Sequence, residues 1–216
     1  MSNELVHLVA NAERSTQVKA YLQTRKSDCP FPVYDAMMIG NLNQIQPFLN
    51  DEQILNYKLE VSSHQSCLGL ENPMCYPARI EPGALIRKGV QIDEDAVVLM
   101  GAVLNTGAHI GSGTMVDMNA VIGSGAQIGA RCHIGAGAVI AGMMEPACEQ
   151  AVIIEDDVLI GANAVILEGV KVGHHSIIGA GAIVTKEVSP YSVMVGVPAR
   201  KIRENTRKSF YEFDLR

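Results

Sequence analysis

An aliphatic residue returns at every sixth position over most of this chain, and that period limits what the chain can fold into. The first series runs without a break through Ile80, Ile86, Ile92, Val98, Leu104, Ile110, Val116, Ile122, Ile128, Ile134 and Ile140. The second series runs through Ile154, Ile160, Ile166, Val172, Ile178 and Val184. The fourteen residues from Ile140 to Ile154 equal two steps plus two residues, which indicates a two-residue insertion. Such regularity is typical of a repeat architecture.

A six-residue period predicts short strands joined by tight turns. It does not match the period of an α-helix, about 3.6 residues, which would scatter the aliphatic residues around the helix axis. The position two before each aliphatic residue is usually small, as at Ala102, Ala120 and Ala138. Strand alternation points both residues to the same side. Stacked coils about 4.8 Å apart would bury them in one long, thin apolar core, so the sequence predicts a parallel β-solenoid.

These segments resemble the hexapeptide repeats of the left-handed β-helix acyltransferases, in which three hexapeptides form one triangular coil. The left-handed sense comes from the resemblance, because general chirality rules favour right-handed crossovers. The predicted fold class is mainly β, with a left-handed parallel β-helix over residues 79–190. A small, mainly helical N-terminal domain over residues 1–78 and a C-terminal tail with a helix over residues 191–216 complete the prediction.

The N-terminal residues lack the six-residue period. Ser15 and Thr16 are placed to cap an amphipathic helix, and the stretch NLNQIQPFLNDEQILNY predicts a second helix with a break near Pro47. The stretch KLEVSS favours a short strand. We expect these residues to form an α-rich cap or substrate domain.

Residues eighteen apart should stack if three hexapeptides make a coil. One outward face would then carry Leu85, Val103, Val121 and Val139; a second would carry Gln91, His109, Gln127 and Glu145; a third would carry Val97, Met115 and His133. A contiguous outward stripe of aliphatic residues usually marks a contact. Two interpretations stay open for it: coverage by the N-terminal segment, or a subunit interface.

Composition excludes several classes of protein. The net charge of −6 gives no electrostatic footprint for nucleic acid. No apolar run approaches the roughly 20 residues that span a membrane, and the first residues do not resemble a signal peptide. The five cysteines form no CxxC pair, so we expect reduced thiols in a cytoplasmic protein.

Interruptions of the repeat narrow the family. The stretches RIEPGALIRKG, GTMVDMNAVIG, CHIGAGAVIAG and VIIEDDVLIGANAVILEGV resemble the tetrahydrodipicolinate N-acyltransferases of bacterial lysine biosynthesis. The short chain and the stretch STQVKAYL are closer to the acetyl branch than to the succinyl branch. The resemblance implies acetyl-CoA as donor, a dicarboxylic amino acid as acceptor, and a homotrimer or a dimer of trimers. It implies no metal.

The resemblance also implies candidate substrate and catalytic residues. Arg79 and Asp117 match positions that contact the acceptor in the succinyl branch, and Arg87 and Asn119 stand beside them in the same motifs. A guanidinium can hold a carboxylate bidentately, and a carboxylate can hold an ammonium group or accept its proton. Asp117 could instead form an Asx turn. Three candidates for the general base stay open: Asp117, His133 and Glu145.

The coenzyme A site is expected near the end of the solenoid. The resemblance implies contacts at the turns containing Gly161, Ala162, Gly179 and Ala180. The stretch VGVPARKI resembles an ending found in many hexapeptide acetyltransferases, which places Arg200 or Lys201 near the phosphates of the nucleotide. Basic side chains suit that role. A solvated terminal helix is the alternative.

Two other functions stay open. The same scaffold could acetylate or succinylate another amino acid or an amino sugar. It could also be a non-enzymatic or γ-carbonic-anhydrase-like trimer, which would bring three histidines around zinc at a subunit boundary. His109 and His133 fall on different predicted faces, which argues against that site. His174 and His175 are adjacent on the chain, so on a strand they would point to opposite sides and make a poor chelate.

Overall fold

A computed structural model of the chain describes residues 2–26, 32–144 and 149–206. The chain divides into two compact units. The smaller unit is Val9–Gly69, and the remaining described residues form the larger one. The predicted boundary at residue 78 therefore lies inside the larger unit.

The smaller unit is a three-stranded antiparallel sheet with one helix packed on it. Its strands are β1 (Ser15–Gln23), β2 (Ala36–Asn41) and β3 (Asn56–Ser66), in the order β2-β1-β3. Helix α1 (Ser2–Asn11) precedes β1, and helix α2 (Leu42–Leu49) follows β2. The core of this unit consists of buried aliphatic side chains from β1 and α2: Val18, Ala20, Leu22, Ile45 and Leu49.

The prediction of a mainly helical N-terminal domain is wrong. Ser15 and Thr16 begin strand β1 instead of capping a helix. The buried residues Val18, Ala20 and Leu22 alternate along the chain, which is the two-residue period of a half-buried strand. The helix predicted around Pro47 is present as α2, which continues through that proline to Leu49. The strand predicted at KLEVSS is confirmed as part of β3.

The larger unit is the predicted parallel solenoid. A short 3₁₀ turn, Pro73–Cys75, precedes it. Its strands, β4 to β22 in chain order, are Arg79–Ile80, Leu85–Ile86, Gln91–Ile92, Val97–Val98, Val103–Leu104, His109–Ile110, Met115–Val116, Val121–Ile122, Gln127–Ile128, His133–Ile134, Val139–Ile140, Ile153–Ile154, Leu159–Ile160, Val165–Ile166, Lys171–Val172, Ile177–Ile178, Ile183–Val184, Ser192–Val195 and Arg200–Glu204.

Three sheets form the faces of the solenoid, and each is named here by one outward residue. The His133 face has the order β22-β21-β19-β16-β13-β10-β7-β4. The Val121 face has the order β20-β17-β14-β11-β8-β5, and the Gln127 face has the order β18-β15-β12-β9-β6. The turns from the His133 face to the Val121 face form the Asp117 corner. Those from the Gln127 face to the His133 face form the Arg131 corner.

The predicted stacking of outward residues is confirmed on two faces and corrected on the third. Val121 pairs with Val103 and Val139, and Met115 pairs with Val97 and His133. On the Gln127 face, however, the residue paired with Gln127 is Ile153 and not Glu145. A normal step from the Val121 face to the Gln127 face takes six residues, whereas Ile140 to Ile154 takes fourteen. The insertion is therefore eight residues long (14 − 6), not two.

The aliphatic residues of the repeat form the core. Each anchor from Ile86 to Val184 is at most 5% exposed, and the alanines two positions before them are buried as well, except Ala84, which is partly buried. The coils approach so closely that some turns need glycine. A Cβ on Gly111 would lie 2.6 Å from the carbonyl carbon of Gly129, which is backbone and has no room to move. Small residues therefore permit the coil-to-coil hydrogen bonds.

The predicted C-terminal helix is wrong for the described part of the tail. Strands β21 and β22 pair antiparallel there, with Val195 opposite Arg200. The turn between them contains Gly196, whose φ of +94° few other residues adopt, and Pro198, which cannot donate a backbone hydrogen bond. Both residues disfavour a continuous helix at this point. Residues 207–216 lie outside the described residues.

No helix within the described ranges is long and apolar enough to span a membrane.

The two kinds of turn position predict different tolerance of substitution. Gly111→Ala should lower the stability by about 1–3 kcal/mol, because its Cβ would overlap backbone of the next coil. Gly181→Asn should cost less than about 1 kcal/mol: asparagine visits the left-handed region readily, as Asn119 and Asn163 do at the same corner, and a Cβ on Gly181 meets nothing within 4 Å. Thermal unfolding followed by circular dichroism compares the two. Equal losses would contradict the packing argument.

Candidate active site

Asp117 and His133 lie next to each other on adjacent coils. Asp117 directly follows β10, and His133 begins β13, the strand that pairs with β10. The Oδ2 atom of Asp117 lies 3.8 Å from Nε2 of His133. Their side chains are 20% and 29% exposed, so both are partly shielded from solvent and still reachable. A carboxylate beside an imidazole can bind an amine and accept its proton.

Burial of His133 controls its protonation. Desolvation lowers the pKa of His133 below its ordinary value of 6.5, and the charge of Asp117 opposes that shift without cancelling it. The neutral imidazole therefore predominates at pH 7. A neutral imidazole is the form that can act as a general base.

The carboxylate of Asp117 has two roles in the structure. Its Oδ1 atom accepts a hydrogen bond from the backbone N–H of Met118, 2.7 Å away, which resembles the turn contact weighed from the sequence. Its Oδ2 atom is the one near His133. The turn contact uses one oxygen and fixes the side chain, so the other oxygen is held in position at the pair.

Asn119 has a structural explanation. It adopts a left-handed conformation with φ of +57°, and its side chain lies over Gly101 of the preceding coil, where a Cβ would overlap it. Asn163 repeats the arrangement over Gly137. Because the same turn recurs away from Asp117, a substrate role for Asn119 stays a prediction.

Four of the residues predicted to bind coenzyme A lie along the same corner as Asp117. Coil-to-coil hydrogen bonds connect Asp117 to Ile134, Gly135 to Ile160 and Gly161 to Ile178, so Asp117, Gly135, Gly161 and Gly179 form one column. At about 4.8 Å per coil, Gly161 is roughly 10 Å from Asp117. Ala162 and Ala180 follow in the exposed part of their turns.

Arg200 and Lys201 lie at the far end of the solenoid. Both line a cavity of about 400 Å³, together with Val184, Thr185, Lys186, Glu187, Met194 and Ala199. Lys201 is paired with Glu204, whose Oε1 atom lies 2.6 Å from Nζ. Arg200 donates to the carbonyl of Ala199. The sequence analysis missed Lys186; its place just after Val184, the last aliphatic residue of the repeat, was the available signal.

Two of the predicted substrate residues are not brought to the pair within one chain. Arg79 lies on the His133 face, but three coils away, roughly 14 Å from His133 at about 4.8 Å per coil. Its guanidinium pairs with Glu81 at 2.7 Å. Arg87 follows β5 on the Val121 face and donates to Asn105, so it belongs to a different corner.

Glu145, the third candidate base, lies outside the described residues. Cys132 precedes His133 but points into the core, where burial raises its pKa to about 12. His109 lies on the Gln127 face and His133 on its own face, as predicted. Over the described ranges, no three His, Cys, Asp or Glu residues are arranged to hold a metal ion.

The EDD stretch forms an ion-pair network at the Arg131 corner. Arg131 pairs with Asp156 at 3.3 Å and with Asp157 at 2.7 Å. Lys171, together with His174, lowers the pKa of Glu155 to about 2. The EDD stretch therefore connects coils at the corner of the solenoid opposite the Val121 face.

Family models match both units of the chain. The model described as tetrahydrodipicolinate succinyltransferase N-terminal matches residues 1–72. The model of the bacterial transferase hexapeptide (six repeats) matches residues 107–142, and the hexapeptide repeat of succinyl-transferase matches residues 151–186.

Solved acetyltransferases share the solenoid. The acetyltransferase domain of PglB from Neisseria gonorrhoeae, in complex with acetyl coenzyme A, is 25% identical with a TM-score of 0.52 and covers 58% of each chain. A mutant of perosamine N-acetyltransferase from Caulobacter crescentus, in complex with CoA and GDP-perosamine, gives the same identity, TM-score and coverage.

Curated relatives match almost the whole chain. A protein of Thermotoga sp. (strain RQ2), named 2,3,4,5-tetrahydropyridine-2,6-dicarboxylate N-acetyltransferase, is 49% identical over 217 residues, which are 96% of this chain and 93% of the relative. A protein of the same name from Ligilactobacillus salivarius (strain UCC118) is 46% identical over 211 residues, 94% and 90% of the two chains. The resemblance found in the motifs is confirmed, and the chain belongs to the 2,3,4,5-tetrahydropyridine-2,6-dicarboxylate N-acetyltransferase family of hexapeptide-repeat enzymes.

Proposed function

We propose that this protein transfers the acetyl group of acetyl-CoA to the amino group of tetrahydrodipicolinate, in its ring-opened form, as a step of lysine and diaminopimelate biosynthesis in the cytoplasm. The observation that carries the proposal is the pair of Asp117 and His133, 3.8 Å apart on the surface of the solenoid. Relatives that share nearly half of its residues have this activity in their names.

His133 is the proposed general base. The amine nitrogen of the acceptor attacks the thioester carbonyl, and the proton that this nitrogen loses goes to the imidazole of His133. The carbon–sulfur bond then breaks, and the leaving thiolate of coenzyme A takes up the proton from the imidazolium of His133, which returns the ring to its neutral form. The lowered pKa of His133 keeps its ring neutral and ready to accept a proton at pH 7.

Asp117 is proposed to position the acceptor. Its carboxylate attracts the ammonium group that must lose a proton before attack, and it stabilises the imidazolium that forms at His133. Its turn contact with Met118 holds the side chain in place. Asp117 therefore acts through charge, and His133 through proton transfer.

The turn that follows His133 supplies a candidate oxyanion donor. The backbone N–H of Gly135 donates to the carbonyl of Ile160 in the next coil. Within the described part of the chain, the backbone N–H of Ala136 donates to no acceptor. A backbone N–H of this kind can stabilise the negative charge that develops on the thioester oxygen. No acyl-enzyme is required, because the amine attacks the thioester directly. Cys132, beside His133, is buried as a protonated thiol and is a poor nucleophile.

Coenzyme A is proposed to lie along the Asp117 corner, past Gly161–Ala162 and Gly179–Ala180 toward Arg200. Ala162 and Ala180 are exposed and have small side chains, so a ligand can approach the backbone of these turns closely. Lys186, Arg200 and Lys201 line the cavity at the end of this path, where three cations would suit phosphate groups.

The Val121 face is proposed to form the contact of a homotrimer. Leu85, Val121 and Val139 are 46%, 38% and 37% exposed, and the stripe continues through Val165 and Ile183. A closed three-fold ring would bury the stripe without polymerising. It would also place the Asp117 corner beside a neighbouring subunit.

Activity distinguishes the proposed roles. His133→Gln should lower kcat by about 10²–10⁴-fold with acetyl-CoA and tetrahydrodipicolinate, because a positioned general base contributes that much. His64→Gln is the matched control, since His64 is exposed on β3 and far along the chain from the pair. Release of free coenzyme A thiol measures the rate. Faster turnover of succinyl-CoA would contradict the acetyl donor, and preference for an amino sugar would contradict the acceptor.

The pKa of His133 should depend on Asp117. The carboxylate raises that pKa against desolvation, so Asp117→Asn should lower it further below 6.5. In the wild type, kcat/KM should fall as the pH drops through the pKa of His133, because only the neutral ring accepts a proton. Ring NMR titration, assigned with His133→Gln, measures the pKa. A higher pKa in Asp117→Asn would contradict the arrangement.

The assembly can be tested at Val121. Val121→Glu places a charge in the centre of the apolar stripe and should convert trimers into smaller species while the solenoid stays folded. Gln91→Glu, on the Gln127 face, is a matched control that adds the same charge at another exposed outward position. Sedimentation velocity gives the mass, and circular dichroism verifies the fold. A Val121→Glu trimer with normal activity would overturn the proposed interface.

A further inference from the structure

Strand β3 has an exposed edge. Within the described strands of the smaller unit, β3 pairs with β1 on one side and with no strand on the other. It is eleven residues long, and its pairing with β1 is regular from Asn56 to Val61. Long edge strands offer unpaired N–H and C=O groups to another strand, and proteins usually block them.

One side of β3 is apolar and uncovered. Tyr57, Leu59 and Val61 lie opposite Leu22, Ala20 and Val18 of β1, so their side chains share the face that carries the core of this unit. Helix α2 packs against β1 and β2 on that face. Leu59 contacts the core, but Tyr57 is 43% exposed and Val61 is 58% exposed.

The opposite side of β3 carries one charge of each sign. Lys58 and Glu60 are half exposed, and their charged atoms lie 3.3 Å apart. The hydroxyl of Tyr21 donates to Glu60 at 3.0 Å and holds that carboxylate over the sheet. Together the five residues read Tyr-Lys-Leu-Glu-Val, with apolar and charged side chains on alternate sides.

This sequence is complementary to itself when read antiparallel. If two copies pair about Leu59, Lys58 of each copy lies opposite Glu60 of the other, and Tyr57 lies opposite Val61. A shift of two residues between the strands would place either Lys58 against Lys58 or Glu60 against Glu60. Opposite charges across a strand pair stabilise it, and like charges destabilise it. One register is therefore favoured over its neighbours on both sides of the sheet.

We propose that the β3 edge binds a second copy of this chain in that register, joining two smaller units into one six-stranded antiparallel sheet. The pairing gives the backbone groups of both edges a strand partner and covers Tyr57 and Val61 of each copy. The backbone N–H of Tyr57, which donates to Oδ1 of Asn56 at 2.8 Å in the single chain, would exchange that contact for one across the pair. It uses a surface separate from the Val121 stripe. If the stripe forms trimers, the β3 edge links one trimer to another. The inference does not depend on the catalytic proposal.

Charge reversal tests the register. Lys58→Glu and Glu60→Lys should each lose self-association through β3, because like charges would face each other across the pair. An equal mixture of the two variants should recover it, because the two acidic side chains of one variant would then face the two basic side chains of the other. Glu52→Lys, an exposed charge reversal in the turn after α2, is the control and should not change the mass.

Sedimentation velocity over a range of concentrations gives the readout, and the full-length chain is used throughout. In the Val121→Glu background, the proposal predicts a monomer–dimer equilibrium that either β3 charge reversal abolishes. In the wild-type background, each reversal should leave the species formed through the Val121 face as the largest one, without changing the acetyltransferase rate. A Val121→Glu chain that stays monomeric at every concentration would overturn the proposal. So would single variants that associate like the wild type, or a mixture that does not recover.

Discussion

Backbone hydrogen bonds between parallel strands of successive coils are the constraint on which the rest of this structure depends. Each coil presents its N–H groups to the carbonyls of the next, as Val121 does to Ala138 at 2.8 Å. Those bonds form only if the backbones approach to strand distance all around the coil. That requirement explains the aliphatic anchor, the small residue two positions before it, and the glycines whose Cβ would overlap the next turn. The six-residue period of the sequence therefore follows from the close packing of the coils.

The same constraint decides where chemistry is possible. Residues that point inward are fixed by packing, so a coil can vary only at its corners and on its outward strand positions. Asp117 stands at a corner position that glycine occupies in the coils containing Gly135, Gly161 and Gly179. His133 stands at an outward position that Met115 and Leu159 fill in the adjacent coils. Both depart from the repeat at no cost to the core, and the pairing of adjacent coils places them side by side.

The sequence predicted what is periodic and failed where the chain is not. The stacking of Val103, Val121 and Val139 follows from a period of eighteen, and the structure confirms it. In the smaller unit, Ser15 and Thr16 satisfy a helix-capping pattern, but burial alternates with period two and tertiary packing decides the strand. The predicted length of the insertion was wrong, two residues instead of eight, because the sheet to which Ile153 returns depends on backbone pairing. Arg79 and His133 are 54 residues apart, which is three repeats of eighteen, so their separation by three coils also follows from the period.

The shape of a solenoid also leaves the pair of Asp117 and His133 open to solvent on one side. The pair of Asp117 and His133 lies on the outside of a three-sided coil, and its side chains stay 20% and 29% exposed. A proton transfer between an amine and an imidazole is faster when water is excluded and the acceptor is held on more than one side. The outer surface of one coil can contact a bound acceptor on one side only. Arg79, the arginine predicted to bind the acceptor, is roughly 14 Å from His133 along the same face, at about 4.8 Å per coil. Its guanidinium already pairs with Glu81. The proposed trimer would supply contacts on a second side, because the apolar stripe through Val121 lies beside the Asp117 corner.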